Sequence, residues 1–356
     1  MIKALEKKMM KQNGQAVKYI KPIALNNFKG KIYDINKQID RDFGLAGPLT
    51  LSTPSLRVHS VRWATSRESY IIETNVKRVL KEIVAASISK TNKCTYCSDA
   101  HTTSIVSLGD NLTSQKIIDG TWKEINDEKT KNIINWALNT RNPNAEIIKN
   151  PPFTKNEVAE IIGTALVFHS TNRFVSIFLE DSPLPQFLSG RLKKMSLKMA
   201  SKTLFKTMVS KNGLIGESLK FIENYESLNN FKWANNVPSY QKALTAEQVA
   251  LDEIESEIIP PNIAKLFKEK ISSWNGESMP LGRSWLQEIT QSLNENEKSI
   301  ANLIFLSAFE PHTITENEII EFRKLYPKDK ELIEVCFWAI QIITNRISEW
   351  LTKPFH

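Results

Sequence analysis

Glycine is scarce in this chain, and its scarcity narrows the fold. With 12 glycines in 356 residues, the chain has about half the usual share. Sheet proteins and nucleotide-binding α/β folds use glycine in tight turns and phosphate loops, so the shortage leans toward helix. Long apolar runs are missing as well. No segment approaches the roughly 18 uninterrupted apolar residues of a membrane-spanning helix, so none is expected. The opening stretch "MIKALEKKMMKQNGQAVKYIKP" is charged and has no apolar core, which predicts no secretory signal. Three cysteines are too few for a secreted disulfide framework. Zinc-finger spacing, nucleic-acid-binding aromatic motifs and glycine-rich phosphate loops are all lacking. The expectation is a cytoplasmic protein that binds no nucleic acid. In that compartment a close cysteine pair points to redox or metal chemistry.

Apolar residues recur at i, i+3 and i+4 in most segments, which predicts an all-α fold. Four regions are expected: an N-terminal extension (1–55) that reads as a loosely packed lead-in, a helical lobe (56–186), connecting helices (187–280) and a last helical group (281–356). The first lobe ends at the Pro-rich breaker "EDSPLPQ" (180–186). The net charge is +8, and "RLKKMSLKMASKTLFKTMVSK" (191–211) holds seven basic residues and no acidic one. That segment reads as a helix with a solvated lysine face, or as a surface for an acidic partner or a membrane. There is also an internal echo. "EVAEIIGTALVFHSTNRFVSIFL" (157–179) and "ELIEVCFWAIQIITNRISEWL" (331–351) both run from an acidic start to Thr-Asn-Arg. A duplication with a degenerate second lobe follows, since the second copy has no cysteine pair.

Chemistry concentrates in "KEIVAASISKTNKCTYCSDAHTTSI" (81–105). Residues 76–90 form a helix candidate with a stripe at Val76, Val79, Leu80, Ile83, Val84 and Ser87. Glu82 lies off that stripe beside Ala85, Ala86 and Ser89, either exposed or trapped between helices. "TNK" breaks the helix, and Thr91 or Asn92 can cap the next one, expected from about Lys93 to Leu108 with Gly109 as its stop. At about 100° per residue, Cys94, Cys97, His101, Ile105 and Leu108 share one buried face. Cysteines at i and i+3 have Cα atoms roughly 5–6 Å apart, close enough for a disulfide. The helix N-terminus favours a thiolate. His101 can take a thiol proton, and Glu82 can hold the imidazole or relay that proton. Because both act through protons, replacing either by glutamine is expected to slow the thiol with little loss of fold.

Other uses of these residues fit the spacing less well. A c-type haem needs histidine directly after the second cysteine, where Ser98 stands. Zinc could use Cys94, Cys97 and His101 with Glu82, His59 or His169 as fourth donor, but helical C-x-x-C-x-x-x-H is not a usual zinc spacing. No metal and no bound cofactor are therefore expected. Cys336, in "IEVCFWAIQII", reads as a core residue.

Glu82, Cys94-x-x-Cys97 and His101, at steps of twelve, three and four residues, resemble the alkylhydroperoxidase D / carboxymuconolactone decarboxylase family. "CTYCSDAHT" is close to the family's signature, and "GTALVFHSTNRFVSIF" resembles its later helix. With "EDSPLP", the pattern is most similar to longer, two-lobed members; the resemblance is strongest over about 60–185. It implies an all-helical bundle, homo-oligomers (here a dimer or trimer) and antioxidant hydroperoxide reduction. It further implies that Cys97 is peroxidatic, Cys94 resolving, and Glu82 and His101 a proton relay. A lipoyl-protein or thioredoxin-like dithiol would be the external reductant. Tyr96 stands where the family's peroxidases carry a further histidine. The lack of C-x-x-C in true decarboxylases argues against decarboxylation here. His169, Asn172 and Arg173 are expected as pocket or structural support, with Asn172 and Arg173 bonding backbone carbonyls at a helix junction. The rival functions are a disulfide oxidoreductase or redox sensor without peroxide turnover, and a helical interaction protein with vestigial thiols.

Overall fold

A helix that is apolar on every side must lie in an interior, and residues 158–178 supply one. The computed structural model describes residues 17–45, 47–180, 213–223 and 229–356. The basic segment 191–211 and the breaker after Glu180 lie outside them. Among these residues the α-helices of seven residues or more are α1 (Gly30–Asp42), α2 (Leu56–Ser66), α3 (Arg78–Thr91), α4 (Thr95–Ser107), α5 (Asn111–Asp119), α6 (Glu128–Leu138), α7 (Val158–Phe178), α8 (Pro238–Ile258), α9 (Pro261–Ser273), α10 (Ser284–Thr290), α11 (Glu295–Phe309), α12 (Glu316–Arg323) and α13 (Asp329–Thr352). Among the described residues the fold is all-α, with a single isolated bridge between Val17 and Leu179.

In α7 every residue but Thr171 and Ser176 is buried, and the rest of the fold is arranged around it. Gly163 sits where a Cβ would meet Ser69 Cβ at 2.6 Å and the Tyr240 ring at 2.8 Å. Only glycine lets α7 approach both neighbours so closely. The two echoing helices, α7 and α13, pack on each other; α2 packs on α8. On the near side α7 lies against α3, and α13 lies against α11. One apolar core runs through all of these helices, and Cys336 lies fully buried within it. A smaller cluster of Ile83, Ala86, Ile105, Ile117, Ile125 and Ile134 holds α3, α4, α5 and α6 together.

Polar ties cross between the halves. Ser55 Oγ caps α2 at Val58 N and donates to the buried Glu334 Oε1 at 2.7 Å. Arg57 reaches Glu253, Glu257 and Glu334 together. Arg173 Nε donates to Ala308 O at 2.7 Å, and Trp350 Nε1 donates to Thr140 O at 2.8 Å. Residues 17–55 are not the loose lead-in expected from sequence. Ile20, Ile35, Ile39 and Leu51 are buried in the core, and Lys18 N donates to Phe178 O. Their apolar residues are widely spaced among charges, so the burial is not visible in local composition. No described helix is long and apolar enough to cross a membrane.

Candidate functional site

The site is assembled by four elements that meet on α3. After Ser66, α2 continues as a π-helical turn, Arg67–Ile71, a rare widening that is frequent at functional sites. Lys81, fully buried, donates to Ser69 O and Ile72 O at the end of this turn and pairs with Glu160 Oε1 at 2.5 Å. Burial brings the Lys81 ammonium down to about 8 although Glu160 opposes it. Glu160 in turn accepts from the backbone N–H groups of Thr74, Asn75 and Val76. The turn, the loop after it and the start of α3 are thereby fixed together, and Tyr70 is aimed at Glu82.

Glu82 is trapped between helices, fully buried. Its Oε1 accepts from Tyr70 Oη at 2.6 Å and Arg78 Nε at 2.7 Å. Its Oε2 lies 2.7 Å from His101 Nδ1. Burial pushes its carboxyl up, but the Arg78 guanidinium and then His101 outweigh it and hold it at about 2. Glu82 is therefore ionised and accepts only, so the proton between them sits on His101 Nδ1. The other ring nitrogen, Nε2, has no hydrogen-bond partner among the described residues. Phe168 packs edge-on to the His101 ring at 4.4 Å. Arg78 lies over the Tyr70 ring at 4.1 Å and the Phe43 ring at 5.3 Å.

The cysteines follow a turn sharper than the sequence suggested. Asn92 ends α3, and Lys93 adopts a left-handed φ of 56°, uncommon for a side chain with a Cβ. The expected helix start at Lys93 is therefore displaced: α4 begins at Thr95. The cap is neither Thr91 nor Asn92 but Cys94, whose Sγ accepts from Cys97 N at 3.4 Å. Cys94 thus sits outside the helix, at its N-cap, where it satisfies one of the unpaired N–H groups. Both thiols are free and buried. Burial, then the neighbouring Cys94, push the Cys97 thiol well above its ordinary value, while the Asn172 side chain works the other way. Tyr96 is buried, and burial followed by the two cysteines raises its phenol.

The other sequence-selected residues lie on the α7 side. Arg173 meets backbone carbonyls, at Ala308 and at His169 (Nη1 to O, 2.7 Å). Asn172 differs from expectation: it bonds side chains, donating to Ser89 Oγ and accepting from Asn92 Nδ2, both at 3.0 Å. His169 lies between Asn92 Nδ2 (3.3 Å) and Thr140 Oγ1 (2.9 Å). Burial, then Arg173 and Arg141, hold it neutral, well below its ordinary value. His59 is occupied elsewhere, by Asn36 and Ser52. Neither histidine joins the cysteines, and among the described residues no group of three His, Cys, Asp or Glu side chains is spaced to hold a metal ion.

Sequence reasoning missed Tyr70, Arg78 and Asn92 as parts of the site. Arg78 carried a legible signal, an i, i+4 pair with Glu82. Tyr70 carried none, because the π-helical turn that aims it is not a local propensity.

With this geometry in hand, the chain can be set beside known proteins. It is 28% identical over 336 residues to a Mycobacterium tuberculosis (strain ATCC 25618 / H37Rv) protein named alkyl hydroperoxide reductase Rv2159c, spanning 94% of this chain and 95% of that one. No family model matches the chain, and no solved structure matches it. The likeness runs over nearly the whole of both proteins, so it extends to the second half as well as to the cysteine-bearing half.

Proposed function

We propose that the protein reduces hydroperoxides through Cys94 and Cys97. The carrying observation is the 2.7 Å contact between Glu82 on α3 and His101 on α4, one turn from Cys97 on α4. It leaves the imidazole Nε2 uncommitted. The name of the Mycobacterium tuberculosis relative supports peroxide as the oxidant.

In this reading His101 Nε2 takes the Cys97 proton. The Cys97 thiolate attacks the distal peroxide oxygen, the O–O bond breaks, and the alkoxide leaves as the alcohol with the proton from His101. Cys97 becomes a sulfenic acid. Cys94 sulfur then attacks it, water leaves, and a disulfide closes. An external dithiol restores both thiols by exchange and is itself oxidised. A lipoyl-protein or thioredoxin-like protein suits that role, and a cytoplasmic homo-oligomer, dimer or trimer, is the assembly we propose. Glu82 does not carry protons here. With its carboxyl held at about 2, it orients His101 and stabilises the imidazolium.

A second reading has its own observation. The Cys94 sulfur, at the α4 N-cap, accepts the Cys97 N–H, a pairing of two free cysteines that also suits dithiol–disulfide exchange without peroxide turnover. Intact mass measurement of the reduced protein before and after one equivalent of an alkyl hydroperoxide separates the two. Loss of two mass units with alcohol release supports peroxide reduction. A protein left fully reduced by peroxide but oxidised by a small disulfide supports exchange.

A further inference from the structure

Cys97 is buried, and a charge on its sulfur needs a donor. The hydrogen bonds behind Asn172 have only one self-consistent direction, and it can be read from two backbone carbonyls inward. At one end Thr140 Oγ1 donates to Ala137 O at 2.9 Å, so its oxygen accepts from His169 Nε2–H at 2.9 Å. His169 is neutral, so its Nδ1 is bare and accepts from the Asn92 amide NH2 at 3.3 Å. The same Asn92 Nδ2 donates to Asn172 Oδ1 at 3.0 Å. At the other end Ser89 Oγ donates to Ala85 O at 2.7 Å, so its oxygen accepts from Asn172 Nδ2 at 3.0 Å. Both ends demand that Asn172 turn its oxygen toward Asn92 and its NH2 toward Ser89, which leaves its second amide hydrogen for the Cys97 sulfur, whose charge the Asn172 side chain favours. Thr140, His169, Asn92, Asn172 and Ser89 are all buried or partly buried, so water offers little alternative partnering.

We propose that Asn172 donates a hydrogen bond to the Cys97 thiolate, and that Asn92 and His169 are positioning residues whose task is to hold the Asn172 amide in that orientation. Burial and Cys94 both disfavour charge on Cys97, and the Asn172 side chain is the group that favours it. A hydrogen bond to an ionised acceptor is about twice as strong as a neutral one, so the donor acts chiefly on the thiolate. The arrangement also gives Asn92 a reason to end α3: a residue that looks like a capping position is the hinge of the relay. The proposal rests on the reading of Cys97 as a reactive thiol, not on the identity of its oxidant.

The test is the pH dependence of iodoacetamide alkylation at Cys97 in the reduced full-length protein, quantified on fragment ions that separate Cys97 from Cys94. N172L should raise the alkylation midpoint by about one pH unit, which is about tenfold in rate below the midpoint. N92D places an acceptor-only carboxylate against Asn172, forcing its NH2 away from sulfur; the midpoint should rise although Asn172 remains. The N92D/N172L double variant should then rise little beyond N92D, because the donor is already withdrawn. A purely structural Asn172 would lower the unfolding midpoint and leave the alkylation midpoint in place. An unmoved midpoint in N172L overturns the donor, and additive shifts in the double variant overturn the orienting role of Asn92. Peroxide consumption by the unsubstituted protein is scored separately, so a shifted midpoint without turnover removes the peroxidase reading and leaves this one standing.

Discussion

Replacing Glu82 by glutamine should unfold this protein more readily than a proton-relay role alone would suggest. The carboxylate is fully buried and meets Arg78 Nε, Tyr70 Oη and His101 Nδ1 at 2.6–2.7 Å. Glutamine preserves the shape but leaves the Arg78 guanidinium, itself buried, without its counter-charge. Breaking one side of a buried pair costs about 3–5 kcal/mol. Titration gives a similar size by a separate route: a carboxyl moved from 4.5 to about 2 corresponds to about 3 kcal/mol of folded-state preference for the ionised form. Because the folded value lies below the unfolded one, this stabilisation is present above about pH 4.5 and fades as the pH falls toward 2. Against a total stability of roughly 5–15 kcal/mol, the loss is large. The expectation from sequence, that E82Q would spare the fold, is corrected by Arg78. Urea unfolding at pH 7.5 of wild type, E82Q, R78M and the double variant measures it. E82Q should lose about 3 kcal/mol, and the double variant should lose less than the two single losses combined. An E82Q midpoint equal to wild type, or strict additivity in the double variant, would refute the reasoning.

Three further outcomes follow from the same geometry. C97S should abolish peroxide consumption, whereas C94S should allow one turnover and leave a sulfenic acid on Cys97 that a dimedone adduct reveals; an adduct on Cys94 in active C97S protein would reverse the two roles. Stability should fall as the pH drops below about 6.5, because the unfolded chain protonates His59 and His169 while burial, with Arg62 and with Arg173 respectively, keeps them neutral in the fold (His59 at about 3); Glu247, raised by burial to about 7, binds one proton in the fold and offsets one of the two, so the net slope is about 1.4 kcal/mol per pH unit down to pH 4.5, and a urea midpoint that is flat from 6.5 to 4.5 would contradict it. Truncation after Gln186 should aggregate, because it uncovers the α7 face that packs on α13 and the α2 face that packs on α8; a soluble, fully active truncation would make the second half an independent module.

How much of this was legible depended on how far apart in sequence the partners stand. That His101 and Glu82 could meet was readable because α3 and α4 are consecutive, whereas Cys94 was read on the face of a helix that begins only after it. Helix type was readable because α7 and α13 are long, apolar and uninterrupted. The start of α4 was not, because it depends on a left-handed lysine, and lysine carries no signal for that conformation. Tyr70 was hidden by a π-helical turn whose carbonyls are held by Lys81, a tertiary contact that no local pattern encodes. The likeness of α7 and α13 was visible in the sequence, but the bearing of the second half on these residues was not. That bearing runs through single hydrogen bonds between remote residues. Arg173, the neighbour of Asn172, is held by Ala308 at the end of α11. Thr140 receives the Trp350 indole on its backbone and His169 on its side chain. The second half thus holds Thr140, one end of the hydrogen-bonded chain, and Arg173, the neighbour of Asn172 at its middle. On the proposal made for Asn172, a half that carries neither Cys94, Cys97 nor His101 would thereby help to set the orientation of the amide that faces the Cys97 sulfur.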